Sequence, residues 1–511
     1  MKLNKFGILL ATVGLLASCS NENAETPQIP SDGDVQASMT LNLKIEGTRT
    51  VTGDQGTSNG TEEEYTVNKA LLILADQSDN EKIAVEGTKQ DDGKWKFNFA
   101  GTDFLTLQTL SNPNVYVVTN ISKDDYKKFT TPANAVSPIQ RVVTLASDAD
   151  TYWTDYYFLM SNHKAASATI DVAEVKKGTY ATTPLHIGTV TVQRTMARLD
   201  LEKAQPKNNL ADENSNIKIV FQGVSPVNVS QNFYLYKEVG TVEDGFELFA
   251  DEFYVADNNC NFVNDPKYAS GTYSFDLFER VTANQLPNSL TYTNWFGSND
   301  ISNTLTYTKL RYVAPNTVTA TDEQVNGRST GLVFKAEITA KSGSLPVSAN
   351  DGHDLYTYKG VVLGDLTKLQ EIVKEPTDLA TTVMASQYTY LVGDKTSEAD
   401  IKAALKADED FKIYPADSQG KFYCYYYYWI RHNGVGTNSD EVMHPMEFGV
   451  VRNNIYKVAV TAVNGLGEPG DFNPDPLNPD DPGKEKPQDN ANLTVSIIVE
   501  PWDVRIDNIE F

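Results

Sequence analysis

The 511-residue sequence predicts an all-β exported protein with two tandem sandwich domains and a few short helical insertions. Three observations predict this. Short runs of β-branched and aromatic residues recur between clusters of Gly, Asn, Asp and Pro, at the spacing of sandwich strands. The chain opens on a segment of the export type. A formal net charge of −25 with 26 tyrosines suits a β protein outside the cell. The same charge argues against nucleic acid and anionic membrane surfaces as partners.

Lys2 and Lys5 precede an apolar run, Phe6 to Ala17, and then Leu16-Ala17-Ser18-Cys19. Residues 1–18 read as a secretory signal, too short to span a bilayer as a mature helix. The small residues before Cys19 resemble a bacterial lipobox, which makes Cys19 the candidate for lipidation and for residue one of the exported chain. A lipid anchors a protein to a membrane without threading it through. The alternative is an ordinary signal with an incidental cysteine. Ser20 to Asp34 is polar and Pro-bearing, a tether. No later apolar run approaches about 20 residues, so no mature transmembrane helix is expected.

Val35, Ala37, Met39, Leu41, Leu43 and Ile45 alternate with polar residues, the pattern of a strand with one buried face. The strand stops at Gly47-Thr48-Arg49, and a loose tract, Thr50 to Glu64, is expected to follow. Arg49 is the first arginine of the chain, and the next is Arg141. One cut by an arginine-specific protease between Arg49 and Thr50 would separate the strand from everything after it.

Further strands are expected at Val67–Leu74, Lys94–Ala100, Val115–Thr119, Thr189–Leu201, Ile217–Val224, Thr304–Tyr312, Thr330–Ala340, Tyr356–Leu363, Tyr388–Val392, Lys421–Ile430, Ile455–Val463 and Leu493–Val499. Ser397-Glu398-Ala399-Asp400 has the form of a capping box opening a helix through Lys406. Leu366 to Lys374 reads as a second helix, ended by Pro376. The polar stretch Ala173 to Thr183 puts a domain boundary near Gly188. In Tyr423 to Trp429 the odd-numbered aromatics face one way, and Cys424, Tyr426 and Tyr428 the other. Outward aromatics could stack on sugars or a neighbouring subunit; the preferred reading buries one face and covers the other with a loop. Cys260 and Cys424 form one disulfide or remain two buried thiols.

Gly467 to Asn490 holds six prolines and many acids, and is expected to be extended and unable to pair in a sheet. About 20 such residues reach roughly 60 Å. Beyond it Leu493, Val495, Ile497 and Val499 alternate with Thr494, Ser496 and Ile498. Pro501 interrupts, and Trp502, Val504 and Ile506 resume the pattern. This terminal strand either folds back on its own domain or fills a groove in another molecule, since strand addition needs only backbone pairing and alternating side chains.

No catalytic constellation emerges. Gly56-Thr57-Ser58-Asn59-Gly60 matches a nucleophile elbow only formally, with no strand before it or helix after it. Asp471, Asn473 and Asp475 have calcium-loop spacing, but Pro476 stands where such a loop needs Gly. His163, His186, His353, His432 and His444 form no metal motif. No enzyme activity, cofactor or metal is expected.

Gln193-Arg194-Thr195-Met196-Ala197-Arg198, then Phe448-Gly449-Val450-Val451-Arg452-Asn453-Asn454-Ile455-Tyr456, then the Pro/Asp arm and Val499-Glu500-Pro501-Trp502-Asp503-Val504 resemble the Bacteroidales fimbrillins, the type V pilus subunits, and among them the shaft subunit of the short fimbria. Ser38-Met39-Thr40-Leu41 leading to Arg49 resembles that family's N-terminal strand and processing site. The resemblance implies transthyretin-like sandwiches and an extended C-terminal donor arm. It implies a lipoprotein precursor at the outer membrane, lipidated at Cys19 and cut after Arg49. The freed groove then accepts the C-terminal strands of another subunit, giving a head-to-tail fimbrium. The implied role is adhesion, biofilm formation and host colonisation. The implied partners are identical subunits, anchor and tip subunits, the arginine-specific protease, and host or bacterial receptors. Thr50 departs from the pattern as a β-branched residue after the cut. The expected division is 1–18 signal, 19–49 propeptide, 50–187 first domain, 188–466 second domain, 467–490 linker and 491–511 donor strands. Two alternatives remain: an anchored glycan-binding lipoprotein, or an anchor or tip subunit of the same pilus.

Overall fold

A computed structural model describes residues 35–45, 58–131, 137–145, 158–162, 180, 182–210, 217–240, 262–264, 277–278, 292–297, 304–317, 327–340, 354–432, 447–469, 477–478, 481–482 and 492–503. Cys19, Arg49, Thr50, Cys260, His163, His353, His444, Asp471, Asn473, Asp475, Val504 and Ile506 lie outside the described residues.

Seven strands close a barrel in the order Ala37–Ile45, Trp95–Phe99, Glu81–Lys89, Ala70–Ala75, Asn114–Thr119, Met160–Ser161 and Leu185–Arg194. The first domain, expected as a β-sandwich, is closed into a barrel by these pairings. Closure comes from the N-terminal strand, which runs antiparallel to Trp95–Phe99 on one flank and parallel to Leu185–Arg194 on the other. The parallel ladder slips between Thr40 and Asn42, opposite His186 and Thr189. This gives Leu185–Arg194 a bulge, and Gly188 meets it with a φ of +97° that L side chains rarely adopt.

Two further sheets face one another across a second core. One is ordered Tyr307–Val313, Ala197–Glu202, Asn454–Val463, Leu493–Asp503 and Ser58–Asn59, with Lys207–Asn208 also pairing on Asn454–Val463. The other is ordered Tyr292–Thr293, Ile217–Val227, Gly331–Ala340 and Phe422–Trp429. Leu199, Leu201, Val458 and Val460 of the first sheet pack with Ile219, Phe221, Phe334 and Tyr426 of the second in one buried cluster. A third, small core lies between the three-stranded sheet Val361–Leu363, Leu355–Tyr358, Phe411–Tyr414 and three helical segments. Ser397 caps the helix Glu398–Leu405 by accepting from the Asp400 N–H, as its sequence predicts. Leu366 to Lys374 is one turn of 3-10 helix running into α-helix.

Several expected strands differ. Thr189–Leu201 is two strands, Leu185–Arg194 in the barrel and Ala197–Glu202 in the second half. Met196 is buried in the barrel core and Ala197 in the second, so the chain passes between cores there, beyond the boundary expected near Gly188. Tyr356–Leu363 is a hairpin, because Lys359 and Gly360 both take positive φ, the requirement of a tight two-residue turn. Tyr388–Val392 ends a 14-residue helix, Leu379–Val392. Met384, Tyr388 and Val392 are buried at a spacing of four, and this helical period overrides the β-favouring composition. The C-terminal strand runs through Pro501 to Asp503, because Pro501 sits opposite Asn454, where the neighbouring strand ends and little pairing is lost.

The aromatic strand Phe422–Trp429 is buried on one face, and on the other Tyr427 and Trp429 are buried while Tyr423 and Tyr425 are half-buried. Cys424, Tyr426 and Tyr428 enter the second core, while Tyr427 and Trp429 stack with a ring separation of 6.3 Å beside Val227, Val333 and Phe448. Cys424 is a free, buried thiol, 3.6 Å from the Tyr426 hydroxyl, and burial pushes it up to about 11. Gly188→Ala leaves the contacts of the barrel intact but forces a side chain into the bulge conformation. It is expected to cost about 1–2 kcal/mol in urea unfolding.

Candidate functional site

The N-terminal strand is a structural stave of the barrel. Ala37, Met39 and Leu41 are fully buried, and Ser38 and Thr40 on the opposite face are buried too. Ser38 donates its hydroxyl to the Tyr180 carbonyl at 2.8 Å, and Thr40 Oγ1 lies 3.3 Å from His186 Nδ1. Leu43 and Ile45 pack half-buried on the same core, and Val35 is exposed ahead of the strand. Removing the strand would strip two ladders of backbone partners at once and leave a slot in the barrel wall.

The C-terminal strand is placed differently. It pairs antiparallel with Asn454–Val463, from Val463 opposite Leu493 to Asn454 opposite Pro501. In this structure it is therefore folded back on its own chain, one of the two placements that the sequence leaves open. Leu493 is buried, whereas Val495, Ile497 and Val499 only half-cover the second core. The strand lies near the sheet edge; among the described residues its outer side is flanked by the two-residue strand Ser58–Asn59, which pairs with Trp502–Asp503. The linker is less open than expected. Glu468 exchanges backbone hydrogen bonds with Tyr425 at 2.8 Å, Gly467 accepts from the Tyr414 hydroxyl at 2.8 Å, and Leu477–Asn478 pairs with Asp481–Pro482.

The two strands lie in different sheets, and polar residues at the seam between the cores link those sheets. Arg452 is buried, and its guanidinium donates to the carbonyls of Arg194, Tyr234 and Leu235 and to Ser161 Oγ at 3.1–3.3 Å. Asn453 takes a positive φ of 62°, donates its N–H to the Met196 carbonyl at 2.7 Å, and accepts from Arg194 Nη1 at 3.2 Å. Glu64 is wholly buried. Its carboxylate receives Arg198 at 3.0 and 3.2 Å, the Tyr312 hydroxyl at 2.6 Å and the Thr61 N–H at 2.8 Å. Arg194 Nε bonds the Glu64 carbonyl at 2.7 Å. Burial alone would lower the Arg198 guanidinium, but bidentate Asp200 and Glu64 outweigh it and raise it. The tract expected to be loose from Thr50 to Glu64 is therefore anchored at its end: Ser58–Asn59 is a strand and Glu62–Tyr65 a one-turn helix. The Thr61-x-x-Glu64 capping box, present in the sequence, was the signal for that helix. Nothing in the sequence marks Glu64 as buried. The arginine motifs at 193–198 and 452–456 stood out, but not their meeting.

Among the described residues no group of three His, Cys, Asp or Glu side chains could hold a metal ion. Ser58 of the formal elbow motif lies in a sheet-edge strand, not on a strand-to-helix turn at a pocket.

Residues 421–508 match the family model described as major fimbrial subunit protein type IV, fimbrillin, C-terminal. That stretch runs from the aromatic strand through the Arg452 motif and the linker to the C-terminal strand, so the chain carries a fimbrillin-type C-terminal region, and the resemblance read from its motifs holds there. No curated protein sequence matches the chain. Among solved structures it aligns with a fimbrilin from Porphyromonas gingivalis W83, at 13% identity over 92% of this chain and 99% of that one, with a TM-score of 0.38. It aligns with a protein described as a cell adhesion protein from Parabacteroides distasonis at 13% identity over 93% and 99%, TM-score 0.40. A third is the tip fimbrial protein Mfa3 from Porphyromonas gingivalis, at 10% identity over 91% and 100%, TM-score 0.33.

Two outcomes follow from this geometry. Met39→Ala in the barrel wall is expected to lower stability by about 2–5 kcal/mol, and Ile497→Ala on the half-covered strand by only about 1 kcal/mol, in urea titrations of the uncut chain. Arg452→Ala removes a buried donor from the Arg194 and Tyr234 carbonyls and from Ser161 Oγ, while the Leu235 carbonyl keeps the Ser161 hydroxyl. It should cost at least about 2 kcal/mol and separate the unfolding of barrel and second half into two transitions.

Proposed function

We propose that the chain is the shaft subunit of a type V pilus, exported as a Cys19-lipidated precursor and assembled by donor-strand exchange after a cut behind Arg49. The observation that carries this reading is the contrast between the two terminal strands. One is sealed into a barrel wall with the lone early arginine just past its end; the other lies half-covered at a sheet edge, behind a Pro-rich linker. Losing the first opens a slot lined by about five apolar positions, leaving of order 10 kcal/mol for a replacement strand to recover. The second gives up less by leaving its own sheet, since its side chains are only partly buried there. Head-to-tail filling propagates as a filament instead of closing a dimer. Until the cut, the N-terminal strand covers edges that would otherwise aggregate. The fimbrillin match at the C-terminal region supports the same reading. The domain division follows it: a removable strand and tether to Arg49, a barrel domain, a second domain, and Leu493 to Phe511 as donor segment. The role is structural and adhesive, with no catalysis. The partners are identical subunits, anchor and tip subunits, and surface receptors. For the glycan-binding alternative, Tyr427 and Trp429 are buried, which leaves the half-buried Tyr423 and Tyr425 as the aromatics of that face.

Purified precursor treated with a trypsin-like protease tests this. The expected result is a new N-terminus at Thr50 by mass spectrometry and SDS-resistant ladders on an unboiled gel. Arg49→Ala should abolish both, and deletion of Leu493–Phe511 the ladders alone. A cut without ladders would instead support an anchored, non-polymerising protein.

A further inference from the structure

We propose that Ser58–Asn59 is a latch that keeps the C-terminal strand on its own subunit, and that the same cut which opens the barrel releases it. The inference rests on the strand-exchange reading above and adds a control on the donor end.

The latch is placed at the Asp503 end of the strand it holds. Asn454–Val463 supports the C-terminal strand only as far as Pro501. Pro501 itself has no N–H to contribute, so the ladder is weak there. Beyond it, Trp502 and Asp503 pair with Ser58 and Asn59, in parallel. The other end of the strand is tied to the body through the linker, so a strand leaving its sheet must peel from the Asp503 side. The latch sits where peeling begins.

The latch is held from both directions in the uncut chain. Behind it, Thr61 caps the helical turn Glu62–Tyr65, and Glu64 is locked by Arg198 and Tyr312. Ahead of it, residues 46–57 connect to Ile45 in the barrel wall. Ser58–Asn59 thus lies between two fixed points of the uncut chain, Ile45 and Glu64, and a segment held at both ends gains less entropy by unpairing than one held at a single end. A cut after Arg49 leaves it held only at Glu64. The unpaired state then gains chain entropy, and a two-residue parallel pairing has little else to resist with. One bond broken therefore acts twice: it frees the N-terminal strand to vacate the slot and loosens the C-terminal strand that is to fill another.

The test uses full-length chains. The acceptor is a cut chain lacking Leu493–Phe511, whose slot is open. The donors are uncut Arg49→Ala and uncut Arg49→Ala with Ser58→Pro and Asn59→Pro, followed as SDS-resistant one-to-one products. Two backbone hydrogen bonds of about 1 kcal/mol each set the expected gain at about tenfold or more in donation rate for the proline variant. Amide exchange over residues 493–503 should rise by a similar factor while residues 70–75 in the barrel stay protected, which reports an intact fold. The same comparison without prolines sets wild-type chain just after cutting against Arg49→Ala, where the cut chain should exchange faster over 493–503. Equal donation and equal exchange in both comparisons, with products still forming from cut wild-type chain, would overturn the latch and leave strand exchange standing. No product from any donor, cut wild-type included, would overturn strand exchange itself.

Discussion

A buried guanidinium at the seam between two cores is the constraint on which the rest of the fold depends. Arg452 reaches from the second half into the barrel and donates to three buried carbonyls and a hydroxyl, sharing the Leu235 carbonyl with the Ser161 hydroxyl. Asn453 beside it needs a left-handed turn to aim its own amide at Met196, the residue where the chain changes core. These contacts fix Leu185–Arg194 as a barrel stave and Ala197–Glu202 as the neighbour of Asn454–Val463. The arrangement is costly to build, because buried charges need full satisfaction, and for the same reason it admits few alternatives.

With the halves held, the terminal strands occupy unequal positions. The N-terminal strand is paired on both flanks and buried on both faces. The C-terminal strand shares one flank with a long neighbour and the other with two residues. Their similar alternating sequences hide this difference, since hydrophobic period reports a face and not the number of partners. Glu64 joins the two regions: the chain leaving the barrel strand passes the end of the C-terminal strand before it is pinned at the seam.

Much of this was legible in the sequence. Period-two alternation located the N-terminal, aromatic and C-terminal strands, and Ser397 marked its helix through cap chemistry that is local. The reading that the aromatic strand buries one face also holds, and on the other Tyr427 and Trp429 are buried while Tyr423 and Tyr425 are half-buried. What failed was non-local. Thr189 to Leu201 reads as one strand, yet its apolar positions change parity between Met196 and Ala197, and there the chain passes from the barrel to the second sheet. Thr50 to Glu64 looks like a linker because its acids are polar, yet Glu64 is sealed by partners more than a hundred residues away. Tyr388 to Val392 has β-favouring composition and yields to a helical burial pattern set by Met384 and the small third core. Closure of the barrel depends on a parallel pairing across some 150 residues, which no local pattern announces.

The flanks of the N-terminal strand carry one more consequence. They run in opposite directions, one antiparallel and one parallel to it. A strand laid into that slot meets one neighbour of each sense whichever way it points, so the backbone sets no polarity for an incoming chain. Direction must then be chosen by side chains, by which end carries the bulkier residues and how they fall against the offset at Gly188. In a polymer of such subunits the arrow of the filament would be written in shape, residue by residue, and a few substitutions in the inserted strand would be enough to blur it.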